Sequence, residues 1–195
     1  MFALVQDGSI TKYISGNRGI TIGDIQYPQN IFTLWSAAER EAIGIYEVVF
    51  DNSNKKDEAY YINTNQSFNF ADGVVTASYG SATAKELDDR NATNEAGEEL
   101  DPVVVIEGLK TKHKKIIKKQ ASGLLEPTDW YNHKALDDDT FTIPANITTY
   151  RANIRTRSNE METAIDNASD VDALAALYVY KDGERPLGEF PILEI

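Results

Sequence analysis

Cysteine is absent from the 195-residue chain, which excludes disulfides, thiolate metal sites and cysteine nucleophiles. Histidine is scarce: His113 and His133 are too few for a multi-histidine metal centre. No run of roughly 18 apolar residues occurs, so no membrane-spanning helix is expected. The apolar start Met1-Phe2-Ala3-Leu4-Val5 turns polar at Gln6-Asp7-Gly8, too soon for a signal peptide. Basic residues are outnumbered, with 19 Lys and Arg against 31 Asp and Glu and a formal charge of −12, which disfavours general nucleic-acid binding and adhesion to anionic membranes. Recognisable catalytic motifs are missing as well: there is no Gly-rich phosphate loop, no nucleophile elbow and no His-Glu-x-x-His. The expectation is a soluble, cytoplasm-made, non-enzymatic protein with no cofactor, no metal, no nucleic-acid partner and no membrane partner.

What is present divides the chain in two. Residues 1–82 read as a β-rich head. Asp7-Gly8 separates Phe2–Gln6 from Ser9–Ile14, and Asp72-Gly73 separates Gln66–Phe70 from Val74–Tyr79; Gly accepts the positive φ of a two-residue turn. Ile43–Phe50 and Ala59–Asn63 supply further strands, and the set reads as a meander. One helix, Ser36–Ile43, is opened by the capping-box spacing of Ser36 and Glu39 and stopped by Gly44.

Residues 83–195 read as a helical region with an extended tail. Thr83-Ala84-Lys85-Glu86 predicts a short polar helix fading near Asn91. Asn91–Pro102, with four acidic residues and Gly97, predicts an exposed loop or hairpin tip. Val104, Ile106, Leu109, His113, Ile116, Ile117, Gln120 and Leu124 trace one face of a long helix ending about Ser122-Gly123. Ile147, Tyr150, Ile154, Met161, Ile165 and Ala168 trace a second after Pro144, and the two are expected to pack as an antiparallel helical hairpin. A third helix opens at Ser169-Asp170-Val171-Asp172. Tyr178–Tyr180 reads as a strand, followed by an Asp182-Gly183 turn, and Leu187–Ile195 is too rich in Gly and Pro to be helical. The fold class expected is α+β.

Six lysines, Lys110, Lys112, Lys114, Lys115, Lys118 and Lys119, fall within ten residues. They occupy positions left over by the apolar stripe, as a solvated helix face would. As a binding surface, Lys114, Lys115, Lys118 and Lys119 suit an acidic protein better than nucleic acid, since no aromatic residue interleaves them for base stacking. Asp137-Asp138-Asp139 lacks the alternating spacing of a calcium loop and reads as a charged loop apex. His113 lies on the apolar stripe as a packed residue, and His133 has no second ligand at metal spacing. Trp130 and Tyr131 fall between the two long helices, where they either pin the connection back or project as interface anchors; pinning is the expected role. On this reading Trp130 is a buried lid over Leu124 and Leu125, Tyr150 covers the same leucines, and Arg151 faces outward.

Three stretches carry a resemblance: ASGLLEPTDWY at Ala121–Tyr131, IPANITTYRANIRT at Ile143–Thr156 and METAIDNASDVDALAAL at Met161–Leu177. This pattern resembles the tail assembly chaperones of tailed bacteriophages, also described as tail-fibre assembly proteins. That family carries a leucine pair, a Thr-Asp-Trp step and a Tyr-Arg pair on the next helix. Leu124, Leu125, Thr128, Asp129, Trp130, Tyr150 and Arg151 hold those positions here. The N-terminal hairpin, the Tyr27-Pro28 step and Gly44-Ile45-Tyr46-Glu47-Val48 are similar to the head of marine phage members. Asn91–Glu107 looks inserted and follows no family pattern. The resemblance implies a non-enzymatic protein that binds tail-fibre or other tail proteins, either as a transient chaperone or retained in the virion. The competing expectation is a receptor- or carbohydrate-contacting module using Trp35, Trp130 and nearby acids.

Overall fold

The computed structural model describes residues 1–193. The protein is α+β, with most strands in its N-terminal part and the long helices in its C-terminal part. It divides into two compact units, Met1–Thr83 and Ala84–Ile195.

The first unit contains strands β1 (Phe2–Gln6), β2 (Ser9–Ile14), β3 (Ile20–Ile22), β4 (Ile25–Tyr27), β5 (Ile45–Asp51), β6 (Tyr61–Ile62), β7 (Gln66–Ala71) and β8 (Val74–Tyr79), with short helices α1 (Ile31–Leu34) and α2 (Ala37–Glu41). Both Asp-Gly steps form the expected turns: φ is 51° and 74° at Asp7 and Gly8, and 50° and 75° at Asp72 and Gly73. The positive values at both turn positions match the right-handed twist of the flanking strands. The capping box is also formed, with the Ser36 hydroxyl accepting from the Glu39 N–H and the Glu39 carboxylate accepting from the Ser36 N–H.

The sheet order is β2-β1-β5-β8-β7, and β5 runs parallel to β8. The meander expectation is therefore corrected: β8 inserts between β5 and its own hairpin partner β7. The exposed Gln66–Ala71 strand alternates half-buried and exposed residues, as suits an outer strand, whereas Val75 and Ala77 of β8 are fully buried. The β3–β4 hairpin and α1 were not legible from composition. Ile20, Ile31 and Phe32 from these elements pack with Leu4, Ile14 and Ile45 on one face of the sheet. The opposite face gathers Ala3, Val5, Val48, Val75 and Ala77, residues small enough for the sheet to curl until Tyr13 of β2 meets Phe68 of β7, with ring centroids 4.5 Å apart. Gly44 has φ 81°, and a Cβ there would lie 2.6 Å from the Val5 carbonyl oxygen, so the close approach of β1 requires glycine.

The second unit follows strand β9 (Thr83–Ala84) and contains the short strands β10 (Arg90–Asn91) and β11 (Val105–Ile106), helix α3 (Leu109–Leu125), a 3-10 turn (Glu126–Thr128), and helices α4 (Asp129–Asp137), α5 (Ala145–Asp166) and α6 (Val171–Ala176). The helix expected at Thr83–Asn91 does not form. Leu87 is its lone large apolar residue, too little to bury a helix face, and its carbonyls serve α3 instead. Glu86 and Leu87 accept from the N–H groups of Leu109 and Lys110, while the Asp89 carboxylate accepts from the Gly108 N–H (2.8 Å) and the Thr111 hydroxyl (2.9 Å). Those bonds hold the Asp89 carboxyl below its ordinary value, the Gly108 bond contributing most. A Cβ on Gly108 would lie 2.4 Å from the Asp88 carbonyl oxygen, so glycine is what lets this cap close.

The first long helix accordingly starts at Leu109, not Val104. Val104 and Ile106 belong to an exposed hairpin arm, in which β10 pairs with β11 and Thr93 bridges Glu99. Of the exposed loop or hairpin tip expected at Asn91–Pro102, the hairpin is what forms. The buried face of α3 runs through Leu109, Ile117 and Ala121, with His113 half-buried against the Tyr178 ring, whereas Ile116 is half-exposed and Gln120 exposed. Burial pushes the His113 imidazole pKa down. On α5, Ile147, Tyr150, Ile154, Met161 and Ile165 are buried at helical spacing. The two helices pack antiparallel, since Lys114 meets Asp166, Lys118 meets Glu162, and the far end of α3 meets Tyr150 and Arg151.

Helix α6 opens within the expected Ser169–Asp172 stretch and is capped by Asp170, its carboxylate accepting from the Ala173 N–H. Tyr178–Tyr180 is not a strand; Lys181 bridges Glu184 around the Asp182-Gly183 turn. Beyond it the tail is strapped to α5: Arg157 donates to the carbonyls of Leu187 and Glu189, both at 3.1 Å, and Leu187 is buried. The expected non-helical tail is observed through residue 193; the last two residues of Leu187–Ile195 lie outside the described residues. Among the described residues no helix is long and apolar enough to cross a membrane.

Candidate protein-interaction site

A helix leaves its last four carbonyls without intrahelical partners. At the end of α3 those of Leu124 and Leu125 are taken up by α5. The Tyr150 hydroxyl donates to the Leu124 carbonyl (3.3 Å), and an Arg151 guanidinium nitrogen donates to the Leu125 carbonyl (3.0 Å). The same nitrogen reaches the Thr128 hydroxyl (2.5 Å), which itself donates to the Leu125 carbonyl (2.7 Å). The second terminal nitrogen pairs with Asp129 Oδ1 at 2.7 Å. Arg151 is 7% exposed and Thr128 3%. The cation therefore sits at the negative end of α3, and Asp129 at the positive end of α4, where each is electrostatically favoured.

This junction corrects the expectation that Arg151 faces outward. An exposed arginine at the start of α5 would leave the Leu125 carbonyl and Thr128 hydroxyl buried without a charged donor. Tyr150 does cover the leucines as expected, packing with Ala121 and Ile154 against Leu124, Leu125, Phe190 and Leu193. With that cover supplied by α5 and the tail, the leucines need no lid from Trp130. Trp130 is 50% exposed, so its expected burial is also corrected. The connection holding it is helical, not a loop: Trp130 and Tyr131 lie in the first turn of α4. Their rings stack at 3.8 Å, Phe141 lies 6.3 Å from each, and Lys134 lies over Phe141 at 4.3 Å. Asp138 ends this helix with its carboxylate bound to the N–H and hydroxyl of Thr140, an ordinary turn that also lowers its pKa. Trp35 belongs to the first unit, where it meets Tyr27 edge-on at 5.9 Å and is half-buried in the core.

Most of the lysines are internally committed. Lys110 pairs with Asp88 (3.0 Å), Lys114 with Asp166 (2.7 Å), Lys115 with Glu107, and Lys118 with Glu162 (3.2 Å). The Asp166 hydrogen bond raises the Lys114 pKa. Lys119 is exposed and makes no ion pair among the described residues. Of the four lysines singled out from sequence, Lys118 borders a cleft. That cleft, about 420 Å³ between α3 and α5, is lined by Lys118, Ala121, Ser122, Leu125, Asp129 and Arg155, among others. Arg155 was not visible as a site residue, because an exposed arginine on a helix carries no local signal. Its relation to the junction exists only once α5 lies against α3. No family model, curated protein or solved structure matches this chain.

Proposed function

We propose that the chain is a non-enzymatic bacteriophage tail protein of the tail-fibre assembly chaperone type, binding tail-fibre or other tail proteins. The support is one observation: six of the seven residues carrying the resemblance, Leu124, Leu125, Thr128, Asp129, Tyr150 and Arg151, converge on a single hydrogen-bonded junction. They come from the end of α3 with the start of α4 and from α5, and the side chains of Thr128, Asp129, Tyr150 and Arg151 make the bonds between them. The seventh, Trp130, is left half-exposed in a stack with Tyr131, an arrangement suited to contact with another protein.

Co-expression with the tail-fibre protein of the same phage tests the reading. Soluble, trimeric fibre should rise in yield with the chain present, and an unchanged yield together with no co-purification rejects it. Mass spectrometry of purified particles then separates a released chaperone from a retained virion component. The half-exposed aromatic stack also suits a receptor- or carbohydrate-contacting module, for which a glycan array is the discriminating measurement: saturable sugar binding that Trp130→Ala abolishes favours that alternative.

A further inference from the structure

In the cleft between α3 and α5 an exposed guanidinium, apolar side chains and hydroxyl groups meet. Arg151, in its wall, is spent on Leu125, Thr128 and Asp129. Lys118 and the Ser158 hydroxyl both bind Glu162. Arg155 is different. Its single hydrogen bond is from one terminal nitrogen to the Arg151 carbonyl, long at 3.4 Å, and it forms no ion pair among the described residues. The floor beneath is made by Ala121 and Leu125, with Ser122 and Asn159 on the rim. The lining thus holds three cations, Lys118, Arg151 and Arg155, against the single carboxylate of Asp129, in a chain whose formal charge is −12.

We infer that this cleft binds an acidic-apolar peptide segment of a partner protein, a carboxylate side chain pairing with Arg155 while a neighbouring aliphatic side chain covers Leu125 and Ala121. The inference rests on the tail-protein reading and names the chemistry of the partner. Guanidinium binds a carboxylate through two parallel N–H donors, and the groups of Arg155 that its carbonyl bond leaves over are available for this. A phosphate polymer is the poorer occupant. Its affinity grows with the number of phosphates contacted along a track of cations, and Lys110, Lys114, Lys115 and Lys118 are already paired with Asp88, Asp166, Glu107 and Glu162.

The probe is a fluorescein-labelled octapeptide of alternating Leu and Glu, titrated with the full chain and followed by anisotropy, beside a Leu-Gln octapeptide and an oligothymidylate. The Leu-Glu peptide should saturate and the Leu-Gln peptide should not. Arg155→Glu should weaken binding at least about tenfold, and Ser122→Trp, which fills the cleft without changing its charge, should weaken it comparably. Lys112→Glu makes the same charge change on an exposed position outside the cleft and should alter binding less than about twofold. Circular dichroism melts of each variant check that the fold is retained. Three results would each overturn the inference: equal binding of the two peptides, full binding by both cleft variants, or tighter binding of the oligothymidylate at about 0.15 M salt. No tail protein enters the assay, so loss of this proposal leaves the co-expression test of function standing, and the reverse.

Discussion

In Met1–Thr83 the hairpin turns and the start of α2 are closed by neighbouring residues, whereas in Ala84–Ile195 both ends of α3 are closed from elsewhere in the chain. The first unit turns at Asp7-Gly8 and Asp72-Gly73, starts α2 with Ser36 and Glu39, and stops it before Gly44. In the second, α3 begins at Gly108, which offers no side-chain cap, and takes its partners from residues 86–89; it ends on groups supplied by Tyr150 and Arg151. Helix ends satisfied by remote groups tie the stability of one element to the presence of another. The first unit therefore distributes its stability over local devices, and the second concentrates it at two junctions.

The largest expected effect separates these cases by truncation. Residues 84–195 alone should melt cooperatively, while residues 101–180 should not, because they lack the carbonyls of Glu86 and Leu87, the Asp89 carboxylate and the Leu187–Glu189 strap on Arg157. Equal, cooperative melts of both fragments would remove the contrast.

Next comes Arg151→Met, which removes the charged donor shared by the Leu125 carbonyl and the Thr128 hydroxyl, leaving those two only their bond to each other, and leaves Asp129 unpaired. Asp129 is half-exposed and recovers part of its hydration, so the expected cost is about 2–4 kcal/mol. That corresponds to a fall in Tm on the order of 10 °C. The matching lesion in the first unit, Ser36→Ala at a local cap, should cost about 1 kcal/mol. Thermal melts of the two variants measure the difference between a remote and a local closure directly.

Titration gives a third test. Asp89 and Asp170 have lowered pKa values because backbone N–H groups donate to their ionised forms, from Gly108 and Ala173 respectively. Their contribution is present above the unfolded carboxylate value of about 3.9 and is lost as pH falls through the lower folded value. His113 acts at higher pH. Burial lowers its pKa, so its contribution is complete above the unfolded value of about 6.5 and declines as pH falls toward the folded one. His113→Leu should flatten the stability curve just below pH 6.5, and Asp89→Asn should flatten it below pH 4; denaturant melts at stepped pH read both.

The smallest effect belongs to Trp130. Half-exposed and stacked on Tyr131, it should cost less than about 1 kcal/mol when replaced by Ala, well short of the several kcal/mol of a buried tryptophan. A melt like that of wild type, with loss of fibre binding, marks it as a contact residue.

Local residue patterns were enough to read the α+β class, both Asp-Gly hairpins, the α2 capping box, the apolar stripe of α5 and an exposed loop or hairpin tip after Asn91. Each rests on preferences of residues within a few positions of one another: a positive φ that Gly accepts, a hydroxyl three residues before a carboxylate, an apolar residue every three or four. The tertiary structure alone decided that β8 lies parallel to β5, that α3 starts at Leu109, that Arg151 turns inward, that Trp130 stays half-exposed and that the lysines are mostly paired. The competing local signals were real, including a capping-box spacing at Thr83–Glu86 and a lysine run with an open face. They lost because the unsatisfied carbonyls and N–H groups of α3 are buried and costly, and their partners, Asp89 for Gly108 and Arg151 for Leu125, stand 19 and 26 residues away, beyond the reach of any local pattern.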